Sequence, residues 1–286
     1  MAQQQFVRTE VRNGVFLVTL SDPKTRNALG PEMTQQLSEA LDRFETDPTL
    51  RVLVLTGEDP AFCSGANVRG MQQTIDQRQQ EAPTPTYPTP WELLERRYSP
   101  KARRREAVGE GARYMPLRIW DLPKPSIAAV NGFAYGVGAG LAWSCDIRIA
   151  SERAEFAEAF IRVGLVPADG SCWQLPRLIG LSNTLLMQYT GDAVKAEEAL
   201  RWGLVSKVVP HERLLEETMA LAERLARGPT FSMGLIKYLV HQGLTSDFRT
   251  HLEWAGVAQD LARETEDHKE GVRAFLEKRR PVFKGR

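Results

Sequence analysis

The sequence predicts an α/β fold, a mostly parallel sheet system followed by an all-helical C-terminal region. Three observations carry this. Short apolar runs alternate with segments of helical period over residues 1–209, the pattern of strands joined through helical crossovers. Small-residue turns follow two of those runs, at Ala61-Phe62-Cys63-Ser64-Gly65-Ala66 and at Asn131-Gly132-Phe133-Ala134-Tyr135-Gly136-Val137-Gly138-Ala139-Gly140. Beyond about Pro210 the strand pattern stops and only helical periodicity remains.

Taken in order, a strand pair spans Phe6 to Leu20, and its second member, Val15 to Leu20, ends at the turn Ser21-Asp22-Pro23. Pro31 suits the first position of a helix, where its missing N–H has no partner to lose. Met33, Leu37, Ala40, Leu41 and Phe44 then recur on one helical face through Glu45. Arg51–Gly57 and Ser126–Val130 read as buried strands. A helix over about Val137–Cys145 precedes a short strand, Ile147–Ala150. The tail reads as helices over His211–Arg227, Phe231–Gln242, Phe248–Arg263 and Glu264–Lys278.

A chain of 286 residues can bury a sizeable core, as one large domain or two small ones. A net charge of +1 gives no global attraction toward nucleic acid or anionic membrane. Cys63, Cys145 and Cys172 are too few and too scattered for a disulfide framework or a zinc site, which suits a reducing cytoplasm. The opening Met1-Ala2-Gln3-Gln4-Gln5 lacks the basic and apolar regions of a signal peptide, and no apolar run approaches membrane-spanning length. The expectation is a cytoplasmic protein with no metal, no permanently bound cofactor, and no nucleic-acid or membrane partner.

The two small-residue turns bear on chemistry. Small residues let backbone N–H groups face outward and let a ligand approach them closely. Two such groups converging on one oxygen form an oxyanion hole. Either turn alone fits an ordinary strand-to-helix connection. In this order and spacing they closely resemble the crotonase superfamily, the enoyl-CoA hydratase/isomerase family. The resemblance extends over nearly the whole chain. It includes Pro23-Lys24-Thr25-Arg26-Asn27-Ala28-Leu29, Asp146-Ile147-Arg148-Ile149-Ala150, Gly164-Leu165-Val166-Pro167, Leu175-Pro176-Arg177 and Tyr189-Thr190-Gly191. Trp202-Gly203-Leu204-Val205 matches a family signature, and Glu270-Gly271 with Phe275-Leu276-Glu277-Lys278-Arg279 completes it.

The resemblance implies a ββα spiral core over residues 1–209, with 72–118 as a variable, lid-like insertion. It implies that the helical region 210–286 joins subunits into homotrimers or dimers of trimers. The insertion carries Arg96, Arg97, Lys101, Arg103, Arg104 and Arg105, read as a solvated loop, and Trp91, Tyr98 and Tyr114, read as lid aromatics over an acyl pocket. The implied substrate is an acyl-CoA thioester, with coenzyme A arriving as part of the substrate. Lys24 and Arg26 lie in the turn expected near the nucleotide phosphates, Ser64 belongs to the same site, and Lys278 and Phe275 reach the CoA of a neighbouring subunit. Lys278, Arg279, Arg280, Lys284 and Arg286 form a basic terminus with no acid after Glu277.

By the same resemblance the oxyanion donors are the N–H groups of Ala66 and Val137. The two glutamates that hydratases of this family use fall at Gly140 and Phe160, so two-glutamate hydration is not expected. Asp169, in Pro167-Ala168-Asp169-Gly170, is the remaining acid/base candidate. Some family members carry the aspartate one position earlier, where this chain has Ala168. Asp169 has two readings, a proton shuttle with a pKa raised by desolvation, or a cap for the helix beginning near Ser171. Glu158 is assigned a surface role. Tyr135 and Trp173 are read as pocket walls, Cys172 as a small pocket-lining group, and His211, His241, His251 and His268 as residues of the C-terminal helices. The expected activity is enoyl-CoA double-bond isomerisation through an oxyanion-stabilised enolate, with Asp169 as acid/base. The alternatives are a carbon–carbon hydrolase or lyase acting on a β-keto or cyclic substrate, and a catalytically silent CoA- or RNA-binding protein of the same fold.

Overall fold

Asn13 and Gly14 adopt left-handed backbone, with φ of 51° and 79°, and so close a two-residue hairpin between β1 (Val7–Arg12) and β2 (Val15–Leu20). The computed structural model describes residues 4–66 and 111–286. From β3 to β8 the chain alternates between two sheets. A six-stranded sheet takes β2, β3 (Val52–Gly57), β5 (Ser126–Val130), β7 (Ile147–Ser151) and β10 (Lys207–Val209) in parallel order, with β1 as its antiparallel edge. A four-stranded sheet takes β4 (Ala61–Cys63), β6 (Phe133–Tyr135), β8 (Glu155–Ala157) and β9 (Val194–Lys195). The pairs β3/β4, β5/β6 and β7/β8 thus each give one strand to each sheet, which is the expected spiral.

The helices are α1 (Pro31–Thr46), α2 (Met115–Trp120), α3 (Val137–Ser144), α4 (Ser171–Thr190) and α5 (Ala196–Arg201), then α6 (Leu214–Ala226), α7 (Thr230–Gly243), α8 (Phe248–Glu264) and α9 (Glu266–Leu276). In α1 Pro31 starts the helix, and Met33, Leu37, Ala40, Leu41 and Phe44 are buried, as their spacing predicts. Thr265 separates α8 from α9, its hydroxyl accepting the His268 N–H at 3.0 Å as an N-cap. The strands β4, β6, β8, β9 and β10 are two or three residues long and were not legible as strands, since so short a run shows no period.

Strand alternation sorts the core into two layers. Phe16, Val18, Leu53, Leu55, Ala128 and Val130 face the interior between the sheets, where Phe16 stacks on Phe44 with ring centres 6.2 Å apart. Val15, Leu17, Val52, Val54, Ile127 and Ala129 face the opposite way and are covered by α6 through Leu214, Met219, Ala222 and Ala226. Strands buried on both faces read as continuous apolar runs, which is why β3 and β5 were legible. The apolar stripe of α6 thus closes this chain's own sheet. Exposed apolar side chains lie instead on α8, at Phe248, Leu252, Val257 and Leu261, and on α4, at Leu181, Leu186 and Tyr189.

Helix α7 is fastened to the core by polar ties. Arg51 donates to the Gly228 carbonyl at 2.6 Å and to the Thr230 hydroxyl at 3.2 Å, and Lys237 Nζ lies 3.1 Å from Asp146 Oδ1. At the C-terminal end of the expected insertion, α2 buries Met115, Pro116 and Ile119, so Met115 and Pro116 belong to the core while Leu117 is exposed. Trp91, Tyr98 and the arginine cluster lie outside the described residues.

Truncating a buried leucine removes its transfer energy and leaves a cavity. Leu214→Ala is expected to lower the unfolding free energy by about 2–5 kcal/mol in urea titration. Leu215→Ala, on the exposed side of the same helix, should change it by less than about 0.5 kcal/mol. Equal losses would show that the outer face of α6 is covered as well.

Candidate active site

The two oxyanion segments meet because the strands that lead into them are neighbours. β4 and β6 pair in parallel, Ala61 opposite Phe133 and Cys63 opposite Ala134, so both chains leave the sheet at the same edge. The approach that follows is closer than any side chain permits. A Cβ on Gly138 would stand 2.4 Å from the Cys63 carbonyl oxygen, and one on Gly65, at φ 97°, would stand 2.7 Å from that of Tyr135. Ala66 and Val137 follow these contacts, Val137 as the first residue of α3. Gly136 N–H is used by Ala157 O and Leu29 N–H by Gly65 O. Among the described residues neither the Ala66 nor the Val137 N–H has a protein acceptor. Phe160 packs over the second turn, its ring 3.5 Å from the Cβ position of Gly136. An apolar wall therefore occupies the position where the resemblance would put the second hydratase glutamate.

Asp169 is buried, 4% exposed, and its two carboxyl oxygens have different surroundings. Oδ1 accepts the Ser171 N–H at 3.1 Å and the Ser171 hydroxyl at 2.8 Å, so the capping contact at the start of α4 exists. Oδ2 is buried and has no hydrogen-bond partner among the described residues. It lies 2.6 Å from the Cβ position of Gly140. The missing side chain at Gly140 is thus what admits the carboxyl of Asp169, and one oxygen remains available after capping. Burial, only partly offset by the two bonds from Ser171, pushes the Asp169 pKa above the ordinary carboxylate value.

Glu158 is fully buried, which corrects the surface role expected for it. It sits at the junction between β8 and a 3-10 turn over Ala159–Val163, with φ −91° and ψ 68°, and so belongs to no helix face. Its Oε2 accepts the Ser171 hydroxyl at 2.9 Å and its Oε1 accepts the Trp143 indole N–H at 3.3 Å. Burial first, then the neighbouring Asp169 charge, raises its pKa well above the usual range. A helix-period assumption hid this residue, and the three-residue strand before it shows no period that could have corrected the assumption.

The remaining candidates are dispersed. The Tyr135 hydroxyl donates to Glu155 at 3.0 Å, and burial together with that contact raises its pKa to about 12. Cys172 is exposed on α4, its thiol 3.6 Å from Gln188 Oε1 and shifted upward by burial and then by Glu158 and Asp169. Trp173 does not wall the oxyanion site. It meets Trp120 edge-on at 5.4 Å and lines a cavity of ≈ 440 Å³ between α7 and the core, with Asp146, Lys237 and His241. Ser64 is tied to the Lys24–Arg26 turn, its hydroxyl donating to Thr25 O at 2.8 Å and its N–H to Arg26 O at 3.0 Å. The Arg26 guanidinium lies 5.3 Å over the Phe133 ring.

Phe275 is exposed at the end of α9, and Lys278 follows at φ 54°. The basic terminus is largely neutralised within the chain. Arg279 pairs with Glu270 and Glu277, and Lys284 and Arg286 pair with Glu266. His211 reaches the core after all, its Nδ1 3.1 Å from the Ser151 hydroxyl and its Nε2 3.1 Å from Asp59 Oδ2. Ser151 is fully buried and already accepts the Arg153 N–H, so this Ser–His–Asp set is a structural tie. Among the described residues no group of three or more His, Cys, Asp or Glu side chains is arranged to hold a metal, and no helix is long and apolar enough to cross a membrane.

The enoyl-CoA hydratase/isomerase family model matches residues 10–100 and 91–286. Over 282 residues the chain is 38% identical to 1,2-epoxyphenylacetyl-CoA isomerase of Escherichia coli K12, covering 99% of each protein. It is 34% identical over 281 residues to (E)-benzylidenesuccinyl-CoA hydratase of Thauera aromatica, covering 98% of this chain and 99% of that one. The crystal structure of an enoyl-CoA hydratase/isomerase from Cupriavidus metallidurans CH34 superposes with a TM-score of 0.82 at 29% identity, covering 100% of this chain and 98% of that one.

Two outcomes follow from the carboxyl environment. A methyl at Gly140 would overlap Asp169 Oδ2 and press Pro116 Cγ at 3.1 Å. Gly140→Ala should therefore displace the carboxyl, lowering stability by about 1–3 kcal/mol. Turnover in a steady-state assay should fall more than about tenfold, the equivalent of 1.4 kcal/mol. A carboxyl whose pKa is raised by folding binds more protons folded than unfolded, so its contribution to stability is present at low pH and is lost as pH rises. For Glu158 the loss begins near its ordinary value of 4.5 and continues upward through the raised one. Urea midpoints of wild type should fall with pH over this window relative to those of Glu158→Gln. Parallel curves would place the Glu158 titration at its ordinary value.

Proposed function

The chain belongs to the enoyl-CoA hydratase/isomerase family, and on that premise we propose that it is an enoyl-CoA double-bond isomerase in which Asp169 carries the proton. The observation that supports this reading most directly is Asp169 Oδ2, a buried carboxyl oxygen that has no partner among the described residues and lies in the space left by Gly140. In this mechanism the thioester oxygen rests on the N–H groups of Ala66 and Val137. Asp169 Oδ2 removes a proton from the carbon beside the carbonyl, and the two N–H groups stabilise the enolate that forms. The same oxygen then returns the proton further along the conjugated chain, which moves the double bond with no net consumption of acid or base. Losing one such N–H donor typically costs about 10²–10³ in rate, which sets the scale of the electrostatic contribution.

Water addition fits the site less well. Hydration in this family needs one carboxylate to activate water and another to deliver a proton, and Gly140 and Phe160 supply neither. The isomerase name of the Escherichia coli relative agrees with proton-shuttling chemistry, whereas the Thauera aromatica relative is a hydratase by name. The tie between Ser64 and the Lys24–Arg26 turn supports CoA phosphates lying beside the first oxyanion segment. Lys278 and Arg280 have no acidic partner among the described residues, and of the basic terminus they are the cations available to a CoA phosphate. The exposed apolar residues of α4 and α8 support assembly into a homotrimer or a dimer of trimers.

Asp169→Asn preserves size and most of the capping contact, so turnover should fall by about 10²-fold or more with CoA-thioester binding nearly intact. Mass spectrometry of enoyl-CoA thioesters incubated in deuterated water would read label incorporation without a gain of water. Crotonyl-CoA hydration faster than about 10 s⁻¹ would overturn the isomerase reading. A variant that loses thermal stability but keeps its activity per folded molecule would leave Asp169 with capping alone.

A further inference from the structure

Ser171 Oγ lies 2.9 Å from Glu158 Oε2 and 2.8 Å from Asp169 Oδ1. A hydroxyl carries one hydrogen and can donate to only one of them. If both carboxyls were ionised, the second contact would set two oxygen lone pairs against each other inside the protein. The Gln188 amide, 3.5 Å from the same oxygen, donates to Ser171 and cannot supply the missing hydrogen on the carboxyl side. We infer that Glu158 and Asp169 hold one proton between them through the Ser171 hydroxyl, and that Glu158 is a positioning residue that keeps Asp169 ionised for proton abstraction. The inference rests on the isomerase reading only for its catalytic consequence.

The proton resides on Glu158. This residue is fully buried, and apart from Ser171 only the Trp143 indole N–H bonds it. Asp169 Oδ1 receives two donors, which favours the charge there. The chain of bonds then runs from the Glu158 acid hydrogen to Ser171 Oγ, and from the Ser171 hydrogen to Asp169 Oδ1, leaving Oδ2 as the free basic oxygen. Among the described residues the surrounding elements bring no counter-charge to the pair. From α4 the titratable neighbour is the Cys172 thiol. From the 3-10 turn Arg162 is turned to Asp192. The buried Arg148 of β7 is spent on the carbonyls of Trp143, Cys145 and Leu204. With no cation to offset a second anion, the pair is held at a single negative charge. When pH rises far enough to ionise Glu158, that charge would push the Asp169 proton affinity up and lose the donor that orders Ser171.

Infrared difference spectroscopy of the folded protein in normal and deuterated water tests this without any substrate. A protonated-carboxyl band is expected at neutral pH, absent in Glu158→Gln and titrating at lower pH in Asp169→Asn, where the neighbouring charge is gone. Absence of the band in wild type, or its persistence in Glu158→Gln, overturns the shared proton. An unchanged titration in Asp169→Asn overturns the coupling. For the catalytic consequence, Glu158→Leu should lower kcat by about 10–100-fold, the size of one hydrogen bond to a charged group. Glu158→Gln, whose amide can donate to Ser171 as the acid does, should recover most of that loss and should lack the alkaline change in kcat expected of wild type. Equal losses in the two variants, or an alkaline limb that survives in Glu158→Gln, reduce Glu158 to a packing role. Failure of the isomerase reading is registered separately, by full turnover in Asp169→Asn while the infrared coupling persists.

Discussion

The backbone contact between the segments after β4 and β6 is the constraint from which the rest of the site follows. Parallel pairing of two three-residue strands would be weak by itself, since each supplies only a few ladder bonds. Here the pairing is extended by direct approach of main chain to main chain, Gly138 onto the Cys63 carbonyl and Gly65 onto that of Tyr135. At these separations a methyl group would force the segments apart. Ala66 and Val137 stand beside this contact, and among the described residues their N–H groups have no protein acceptor. The large sheet, covered on one side by α6 and filled on the other by Phe16, Leu53 and their neighbours, holds both strands rigid enough for that geometry to persist.

A second constraint is dielectric. Asp169 and Glu158 are both buried, and a buried carboxyl without a cation resists ionisation. The usual arrangement would pair such groups with arginine, and one buried arginine lies nearby in the fold. Arg148, however, is committed to three carbonyls at the end of α3 and the turn before β10, where it closes orphan acceptors. The carboxyls are therefore balanced by hydrogen bonds from Ser171 and Trp143 and not by charge. That choice leaves the proton affinity of both carboxyls raised, where a salt bridge would have lowered it.

The C-terminal region shows how one composition can serve two purposes. Its leucine-rich first helix is core, while the apolar residues of α8 face outward. Its basic end is not a free cationic tail, because Glu266 and Glu270 on α9 fold back to take Lys284, Arg286 and Arg279. Such surface pairs contribute little stability individually. Together with Asp267, which accepts the N–H groups of Lys284 and Gly285 at 2.6 and 2.8 Å, they fix the path of the last residues against α9.

What the sequence determined by itself was whatever depends on neighbours along the chain. The face of α1, the buried runs of β3 and β5, the two small-residue turns and the absence of glutamate at Gly140 and Phe160 are all local facts, and a period or a residue identity suffices to read them. The tertiary structure decided everything that depends on which distant residues share a space. Glu158 follows a strand and precedes a 3-10 turn, so two incompatible side-chain periods meet at that residue and neither fixes its direction. Only the packing of α4 against that junction turns it inward onto Ser171. Likewise Gly140 announces a missing side chain, but only the fold reveals that the carboxyl of Asp169 fills the gap. The sequence also counts the apolar residues of α6 without showing the sheet face they cover. Burial is a property of the assembled layers, and no periodicity carries it.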